Sequence, residues 1–186
     1  MEKVIPPLIA LDVETTGLKP DEGDRIVEIA LIKFDEKGKI IDKFISLINP
    51  EREIPLEVTK FINRIDKNMV EKAPKFKEVA KEIKNFIEGG IVVIHNADFD
   101  ISFLKKEFQL CEEELPEFGV IDTLYIARKY FNFPSNSLSS LAKNFKIEKE
   151  SHRAENDAIT AYEIFNHFVK KIDVEIDELI CPFGEI

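Results

Sequence analysis

The sequence predicts an α/β fold in which a mixed β-sheet is flanked by helices. Three strand-like segments follow one another in the first quarter of the chain with short turns between them, which indicates an antiparallel meander. From residue 75 onward the spacing of the apolar residues changes, and helical segments alternate with short buried strands. That alternation is typical of parallel strands joined by helices, so the complete sheet should contain both kinds of pairing.

The predicted strands differ in how their apolar residues are arranged. The first is a short continuous apolar run, and the second mixes alternating and buried positions. The third follows the turn Asp35-Glu36-Lys37-Gly38, whose acids and glycine are typical of a hairpin connection. Two later apolar runs are short enough to be buried strands between helices. The predicted strands cover residues 8–13, 25–34, 39–49, 91–94 and 120–121.

The clearest predicted helix covers residues 75–87 and ends at a Gly-Gly pair. Its apolar residues recur at helical spacing and form one stripe, made of Phe76, Val79, Ile83, Phe86 and Ile87. The other predicted helices cover residues 99–108, 123–131, 137–144 and 156–172. We therefore predict one domain over residues 1–172 and a short acidic tail over residues 173–186, which should pack on the domain or fray.

The charge of the chain limits how it could meet a nucleic acid. The net charge is −10 and the pI is about 4.9, which argues against a wide basic face that grips a phosphate backbone. An acidic enzyme remains compatible with this balance, as does a nuclease that meets its substrate through bound divalent cations. Composition alone does not decide between these classes.

The location of the protein is predicted from three features of the sequence. No apolar run approaches the length of a membrane span, and the first residues lack the apolar stretch of a secretory signal. Cys111 and Cys181 are far apart and have no metal-binding spacing, so they suit a reducing compartment. We predict a cytoplasmic protein without a membrane partner.

Asp12 and Glu14 follow the apolar run of the first strand, and a spacing of two puts both side chains on one strand face. Two adjacent carboxylates repel unless a cation lies between them. An Asp-x-Glu pair at a strand end is more often a solvated edge. Here, however, it stands at the carboxyl end of a predicted central strand, where sheets of this class bind ligands.

Two further acidic clusters lie at the start of a predicted helix, the first of them just after a buried strand. Asp98 and Asp100 come just after residues 91–94, and Asp157 opens the last helix with His152 in the loop before it. Each acid could simply be a helix cap or a first-turn residue favoured by the helix dipole. A histidine beside an acid could equally accept a proton near neutral pH. Taken singly, these clusters leave both interpretations open.

Taken together, the three clusters resemble the motifs of the DEDDh family of 3′–5′ exonucleases, especially the proofreading exonucleases of bacterial DNA polymerase III. The resemblance lies in residues 12–18 (DVETTGL), 96–104 (NADFDISFL) and 152–157 (HRAEND), in this order, and it extends over nearly the whole chain. It implies a ribonuclease H-like mixed β-sheet, in agreement with the fold predicted from the pattern. It also implies a metal-dependent exonuclease acting on single-stranded DNA 3′ ends.

The resemblance assigns a role to each motif residue. It implies that four acids hold two divalent cations, Mg²⁺ or Mn²⁺, and that His152 is the general base. The implied metal ligands are Asp12, Glu14, Asp100 and Asp157, with Asp98 at a variable position. It further implies that Thr15 and Thr16 hydrogen-bond near the scissile phosphate and that Leu18 packs against the last base, although Leu18 could equally be a core residue.

The chain departs from the family pattern at residues 63–66. Relatives often carry Thr-Gly-Ile-Thr where this chain has Asn-Arg-Ile-Asp, so Arg64 replaces the usual glycine. By the resemblance, Ile65 keeps an apolar contact with the terminal base. Substrate preference therefore stays open between DNA and RNA. A DNA polymerase is a possible partner by the same likeness, and a non-catalytic nucleic-acid-binding scaffold is the alternative from another functional class.

Overall fold

The computed structural model describes residues 6–148 and 152–182. The strands are β1 (Leu8–Thr15), β2 (Ile26–Phe34), β3 (Ile40–Leu47), β4 (Ile91–Ile94), β5 (Gly119–Asp122) and β6 (Cys181–Pro182). The helices are α1 (Leu56–Phe61), α2 (Lys67–Val70), α3 (Phe76–Ile87), α4 (Ala97–Leu110), α5 (Thr123–Tyr130), α6 (Leu138–Phe145) and α7 (Ala154–Val169). Two short 3₁₀ turns lie at Pro20–Glu22 and Ile176–Leu179.

All six strands form one sheet in the order β3-β2-β1-β4-β5-β6. The first three strands pair antiparallel, while β1, β4 and β5 run parallel to one another. Strand β6 adds an antiparallel edge of two residues. The predicted meander and the predicted parallel strands are confirmed, and with them the mixed α/β fold class.

Strand β1 lies in the middle of the sheet and is covered on both faces. Ile9, Leu11 and Val13 belong to the core that α3 and α4 cover. Leu8 and Ala10 belong to the core on the other face, under α5, α6 and α7. Because side chains alternate along a strand, the even-numbered residues that follow must face α7. The carboxyl end of β1 therefore presents its next polar residues to that helix.

Helices α4 and α7 begin earlier than the sequence predicted, and both starts are capped from elsewhere in the chain. The N–H groups of Asn96 and Ala97 donate to the carboxylate of Asp122 at 3.0 and 3.1 Å. The N–H group of Ala154 donates to Glu28 at 3.0 Å. A cap supplied by a distant strand leaves no local signal, so the sequence placed both starts two residues too late.

Helices α1 and α2 were not predicted. Helix α1 has six residues, of which only Val58 is buried, and α2 has four residues with Val70 buried. So few inward residues cannot form an apolar stripe that the sequence would reveal. The loop between them holds Arg64 in the left-handed backbone region at φ 58°. That conformation explains why a glycine is usual at this position.

The segment predicted as a tail packs against the domain as far as the structure describes it. Ile176 and Leu179 are buried in the core under α7, and Cys181 pairs with Val120 through β6. Residues 183–186 lie outside the described part of the chain. Within the described ranges, no helix has the length and apolar character needed to cross a membrane.

We predict that Arg64→Gly stabilises the protein by about 1 kcal/mol, since a left-handed backbone costs a side-chain-bearing residue roughly 1–2 kcal/mol and glycine gives back part of this as chain entropy. Urea unfolding followed by circular dichroism would measure the change. Lys60→Gly, at an exposed helical position in α1, is the control and should destabilise. A variant at position 64 that is less stable than the parent would contradict the explanation.

Candidate active site

Asp12 and Glu14 occupy the carboxyl end of β1, on the sheet face that α7 covers. Both alternate with Val13, so their side chains share one face, as the sequence predicted. The first turn of α7 brings Asp157 to the same place. One carboxylate oxygen from each of these three acids lies within 4.8 Å of the other two. Asp12 and Asp157 thus lie close together in space although they are 145 residues apart along the chain.

Asp100 reaches the same end of β1 from α4, on the opposite face of the sheet. Its side chain is almost fully buried, and its Oδ1 accepts a hydrogen bond from the backbone N–H of Val13 at 3.0 Å. This hydrogen bond fixes α4 against the part of β1 that carries Asp12 and Glu14. The charge of Asp100 is also among the causes that raise the pKa of Asp12. Asp98, the other acid of this cluster, is exposed to solvent.

The four acids are crowded enough to resist ionisation together. Burial raises the pKa of Asp12 well above its usual value, and the charges of Asp100, Asp157 and Glu14 raise it further. Burial, followed by the charge of Asp157, raises the pKa of Glu14 to about 7. Burial also raises the pKa values of Asp100 and Asp157. Ionised together, they form a concentrated negative site that a divalent cation would neutralise.

The donor set fits Mg²⁺ or Mn²⁺. These hard cations prefer oxygen ligands, and all the donors here are carboxylates without a cysteine or histidine among the three that converge. The charge of Arg153 lowers the pKa of Glu14 against the dominant effect of burial, but this guanidinium is already paired with Glu28. One guanidinium does not balance four carboxylates, so the cluster keeps an excess of negative charge that divalent cations would neutralise.

His152 stands beside Asp157 at the start of α7. Its backbone N–H donates to Asp157 Oδ2 at 2.9 Å, and its side chain is exposed. The backbone of His152 is left-handed at φ 68°, which turns the chain sharply before the helix. The histidine predicted from the sequence is therefore placed next to the acid cluster. Residues 149–151 of the predicted loop lie outside the described residues.

Glu28 and Arg153 form an ion pair that the sequence analysis missed. Glu28 lies opposite Glu14 in the β1–β2 pairing and is almost fully buried. Arg153 Nε donates to both carboxylate oxygens of Glu28, at 3.1 and 3.0 Å, and Arg153 Nη2 contacts Oε1. Since Glu28 also caps Ala154, this single carboxylate fixes the turn that holds His152. A glutamate inside the apolar run of β2 was the signal that could have revealed it.

Asp122 fixes the start of α4, as Glu28 fixes the start of α7. It is the N-cap of α5, and its Oδ1 accepts a hydrogen bond from the N–H of Leu124 at 2.8 Å. The same carboxylate also receives the N–H groups that open α4, as described above. Asp122 therefore holds the starts of two helices, one of which carries Asp100. This second role could not be inferred from local sequence.

The segment after β1 is held by internal hydrogen bonds. Thr16 is fully buried: its N–H donates to Arg25 O at 2.9 Å, and its hydroxyl bonds Asp24 at 3.2 Å. The side chain of Thr16 is thus used within the fold, and the hydrogen bond of Thr16 near the scissile phosphate stays a prediction. Gly17 leaves room for the Asp24 carboxylate, which a Cβ at this position would meet. Thr15, 7% exposed, donates its hydroxyl to Gly17 O at 2.6 Å.

The two apolar residues that were predicted to contact the terminal base differ in their exposure to solvent. Leu18 is 74% exposed, so the alternative that it is a core residue is wrong. Ile65 is fully buried in a cluster with Val27 and Val70, so it has no surface to offer a terminal base and that prediction is corrected. An apolar residue in a short loop pattern gives no sign of which side it faces.

An exposed apolar residue that the sequence analysis missed lies at the end of α1. Phe61 is 79% exposed and Ile62 is 45% exposed. The next residue, Asn63, is fully buried and donates from Nδ2 to Thr15 O at 3.1 Å. This hydrogen bond ties the end of α1 to the segment that carries Leu18. Both segments therefore present uncovered apolar side chains beside the carboxyl end of β1.

We predict that Asp12→Asn raises the free energy of unfolding of the metal-free protein by about 1–3 kcal/mol at about pH 8. The reason is that the neutral amide removes one of the crowded charges. The sign follows from the raised pKa values. Groups whose pKa is raised by folding contribute stability at low pH and lose it as the pH rises, for Glu14 between about 4.5 and 7. The advantage of the variant should therefore shrink in acid.

Melting curves in EDTA and in Mn²⁺ would measure both effects. The parent should gain stability from Mn²⁺ and Asp12→Asn should gain much less. Asp98→Asn, which removes an exposed acid two residues from Asp100, is the matched control and should behave as the parent. A parent that does not respond to Mn²⁺ at any pH would contradict the interpretation of this cluster.

Comparisons with known proteins agree with this site. A family model described as Exonuclease matches residues 9–165. DNA polymerase III subunit epsilon of Treponema pallidum is 41% identical over 164 residues, which cover 86% of this chain and 75% of that protein. The epsilon subunit of Rickettsia prowazekii is 39% identical over 164 residues, covering 84% of this chain and 71% of that protein.

A solved structure, the zinc-bound complex of Escherichia coli exonuclease I with single-stranded DNA, matches with a TM-score of 0.78 at 18% identity. The match covers 93% of this chain and 42% of that one, and it supports the ribonuclease H-like fold. The family match begins before Asp12 and ends after Asp157, so it includes all the acids that converge at the end of β1. On the extent of that match and the identity to the two epsilon subunits, the chain belongs to the exonuclease family.

Proposed function

We propose that this exonuclease uses two divalent cations to hydrolyse the last phosphodiester bond at the 3′ end of single-stranded DNA, releasing nucleoside monophosphates. The observation that carries the proposal is the convergence of Asp12, Glu14 and Asp157 within 4.8 Å. Asp100 is hydrogen-bonded to the strand between the first two of these acids. This convergence, with Asp100 bonded to Val13 on the same strand, supports a site that holds cations against a phosphate.

The four acids would hold Mg²⁺ or Mn²⁺. When bound, the cations neutralise the phosphate and stabilise the attacking and leaving oxygens of an in-line displacement. The contribution of the chain is to keep the carboxylates fixed before the substrate arrives, through the caps on α4 and α7. With two divalent ions against four carboxylates, a protein of net charge −10 no longer repels phosphate at this point.

His152 would take the proton of the attacking water. Its backbone N–H is bonded to Asp157 and its side chain is exposed, which supports placing the ring at the mouth of the acid cluster. As the water oxygen bonds to phosphorus, a neutral imidazole accepts its proton, and the bond from phosphorus to the 3′ oxygen of the preceding nucleotide breaks; that oxygen takes a proton from solvent and becomes the new 3′-hydroxyl. The Glu28–Arg153 pair keeps this turn in place, which makes both residues positioning residues for the base.

Leu18 and Phe61 would contact the terminal bases. Both side chains are large, apolar and about three-quarters exposed, so covering them with a flat base lowers the free energy. Thr15 lies between these residues and the acids, and its backbone carbonyl is already held by Asn63. Thr15 stands at the bulge where the β1–β2 register shifts, and this position supports a contact with the terminal nucleotide.

We place the enzyme in DNA proofreading or repair in the cytoplasm, with a DNA polymerase as its partner. The two relatives named above are subunits of DNA polymerase III, and the chain covers more than two thirds of each. Cys111 and Cys181 are both unpaired, as is usual in a reducing compartment.

We predict that single-stranded DNA labelled at its 3′ end loses the label first in Mg²⁺ or Mn²⁺, while the 5′-labelled strand shortens stepwise. The matched RNA oligomer should be degraded more slowly. Asp12→Ala should show almost no cleavage while keeping the circular dichroism spectrum of the parent. Faster loss of label from RNA would reassign the substrate to RNA, and release of the 5′ label first would reverse the polarity.

We predict that His152→Ala lowers the rate by about 10²–10⁴-fold, the range for a lost general base. Without a base, the remaining rate should rise steadily with hydroxide concentration, whereas the rate of the parent should level off. His167→Ala is the matched control, because His167 lies further along the same helix and stacks on Phe145 at 4.7 Å. Equal pH–rate profiles for the parent and His152→Ala would remove His152 from the proton transfer.

A further inference from the structure

The acidic residues are unevenly distributed along the chain. They make up 36 of 186 residues, yet none occurs between Asp122 and Glu148. This stretch, residues 123–147, contains α5, α6 and the connection between them. Its four cations are all exposed, and they are Arg128, Lys129, Lys143 and Lys146. In a protein of net charge −10, this part of the surface is locally positive.

A groove of about 470 Å³ runs between α6 and α7 and joins this positive surface to the acid cluster. Lys143 and Lys146 line one side of it, and Asp157 and Thr160 line the other. Glu148 is the second acid in its lining. Because Asp157 belongs to both the groove and the acid cluster, the groove opens directly beside the proposed metal site.

Lys146 stands where the fold would favour another residue. It ends α6 in the left-handed region at φ 57°, and its N–H bonds the carbonyls of Ala142 and Lys143. Glycine is the usual residue at such a helix end, because a side chain there costs conformational energy. Lysine at this position therefore lowers the stability of the fold while it places a cation on the groove.

We propose that the groove between α6 and α7 binds the sugar–phosphate backbone of the single-stranded DNA whose end occupies the acid cluster. The phosphates next to the scissile one would lie against Lys143 and Lys146. The α6 side of the groove, which carries these two lysines and no acid, matches the charge of the phosphates, and the continuity with Asp157 supplies the path. This inference rests on the proposed exonuclease function, and it explains how so acidic a chain holds more of a strand than its last nucleotide.

The proposal predicts an effect that depends on substrate length. In Lys143→Gln/Lys146→Gln, kcat/KM should fall about tenfold on a DNA oligomer that spans the groove and stay as in the parent on a dinucleotide. The slope of log(kcat/KM) against log salt should weaken by about 1.4 for the oligomer, since each lost phosphate contact on a single strand contributes about 0.7. The same assays on an RNA oligomer test whether the groove serves DNA.

Two matched variants separate this effect from net charge and from folding. Lys77→Gln/Lys81→Gln removes two exposed lysines from α3, on the opposite face of the sheet, and should leave both substrates unaffected. Lys146→Gly should melt no lower than the parent, because it relieves the left-handed backbone, and yet it should weaken cleavage of the oligomer alone. That combination would not arise if Lys146 had only a structural role.

The outcomes of these assays test the groove proposal separately from the proposed exonuclease function. If the parent is active and both groove variants cleave the oligomer as the parent does, the proposed exonuclease function still stands and the groove proposal is overturned. Equal losses on the dinucleotide and the oligomer would also overturn it, as would a loss confined to RNA. A parent that cleaves neither substrate would overturn the proposed function, and the groove proposal with it.

Discussion

The structure depends on the electrostatic repulsion among the carboxylates that folding brings together. Asp12, Glu14, Asp100 and Asp157 are brought together at the carboxyl end of β1, with the buried Glu28 on the neighbouring strand adding its own charge to three of them. A shift of the Glu14 pKa from 4.5 to about 7 corresponds to a cost on the order of 3 kcal/mol when that carboxylate must be ionised at higher pH. A domain of this size has a total stability of roughly 5–15 kcal/mol. Divalent cations bound at this cluster would relieve that cost.

The remaining structure can be understood as the means of holding these charges in place. Asp100 and Asp157 both lie in the first turn of a helix, where the helix dipole favours a negative charge. The starts of those helices are fixed by carboxylates from other strands, Asp122 for α4 and Glu28 for α7. Helix α4 is held again further along, where Glu107 accepts two hydrogen bonds of 2.8 Å from Arg25. Long-range bonds of this kind make the geometry of the acids independent of any single loop.

The sequence predicted what depends on local pattern and failed where distant residues decide. The sheet, five of its strands, the main helices and the four acids with His152 follow from apolar spacing and from motif resemblance. Strand β6 and the starts of α4 and α7 depend on partners far along the chain, so local signals did not show them. Thr16 and Ile65 show the same limit: both lie in motif-like segments, but Asp24 and the Val27–Val70 cluster turn them inward. Glu28 was readable in principle, as a charge inside an apolar strand.

The acidity of the whole chain is consistent with this arrangement, since cations at the acid cluster and lysines at its edge would together meet an anionic strand. The measurement that tests the account most directly is calorimetric titration of the metal-free parent with Mn²⁺ near pH 6.5, in buffers of different ionisation enthalpy. Carboxyl groups with raised pKa values must give up their protons when a cation binds, so we expect binding at this cluster with net release of protons. Binding without proton release, or no binding at all, would contradict the claim that crowded carboxylates form a cation site.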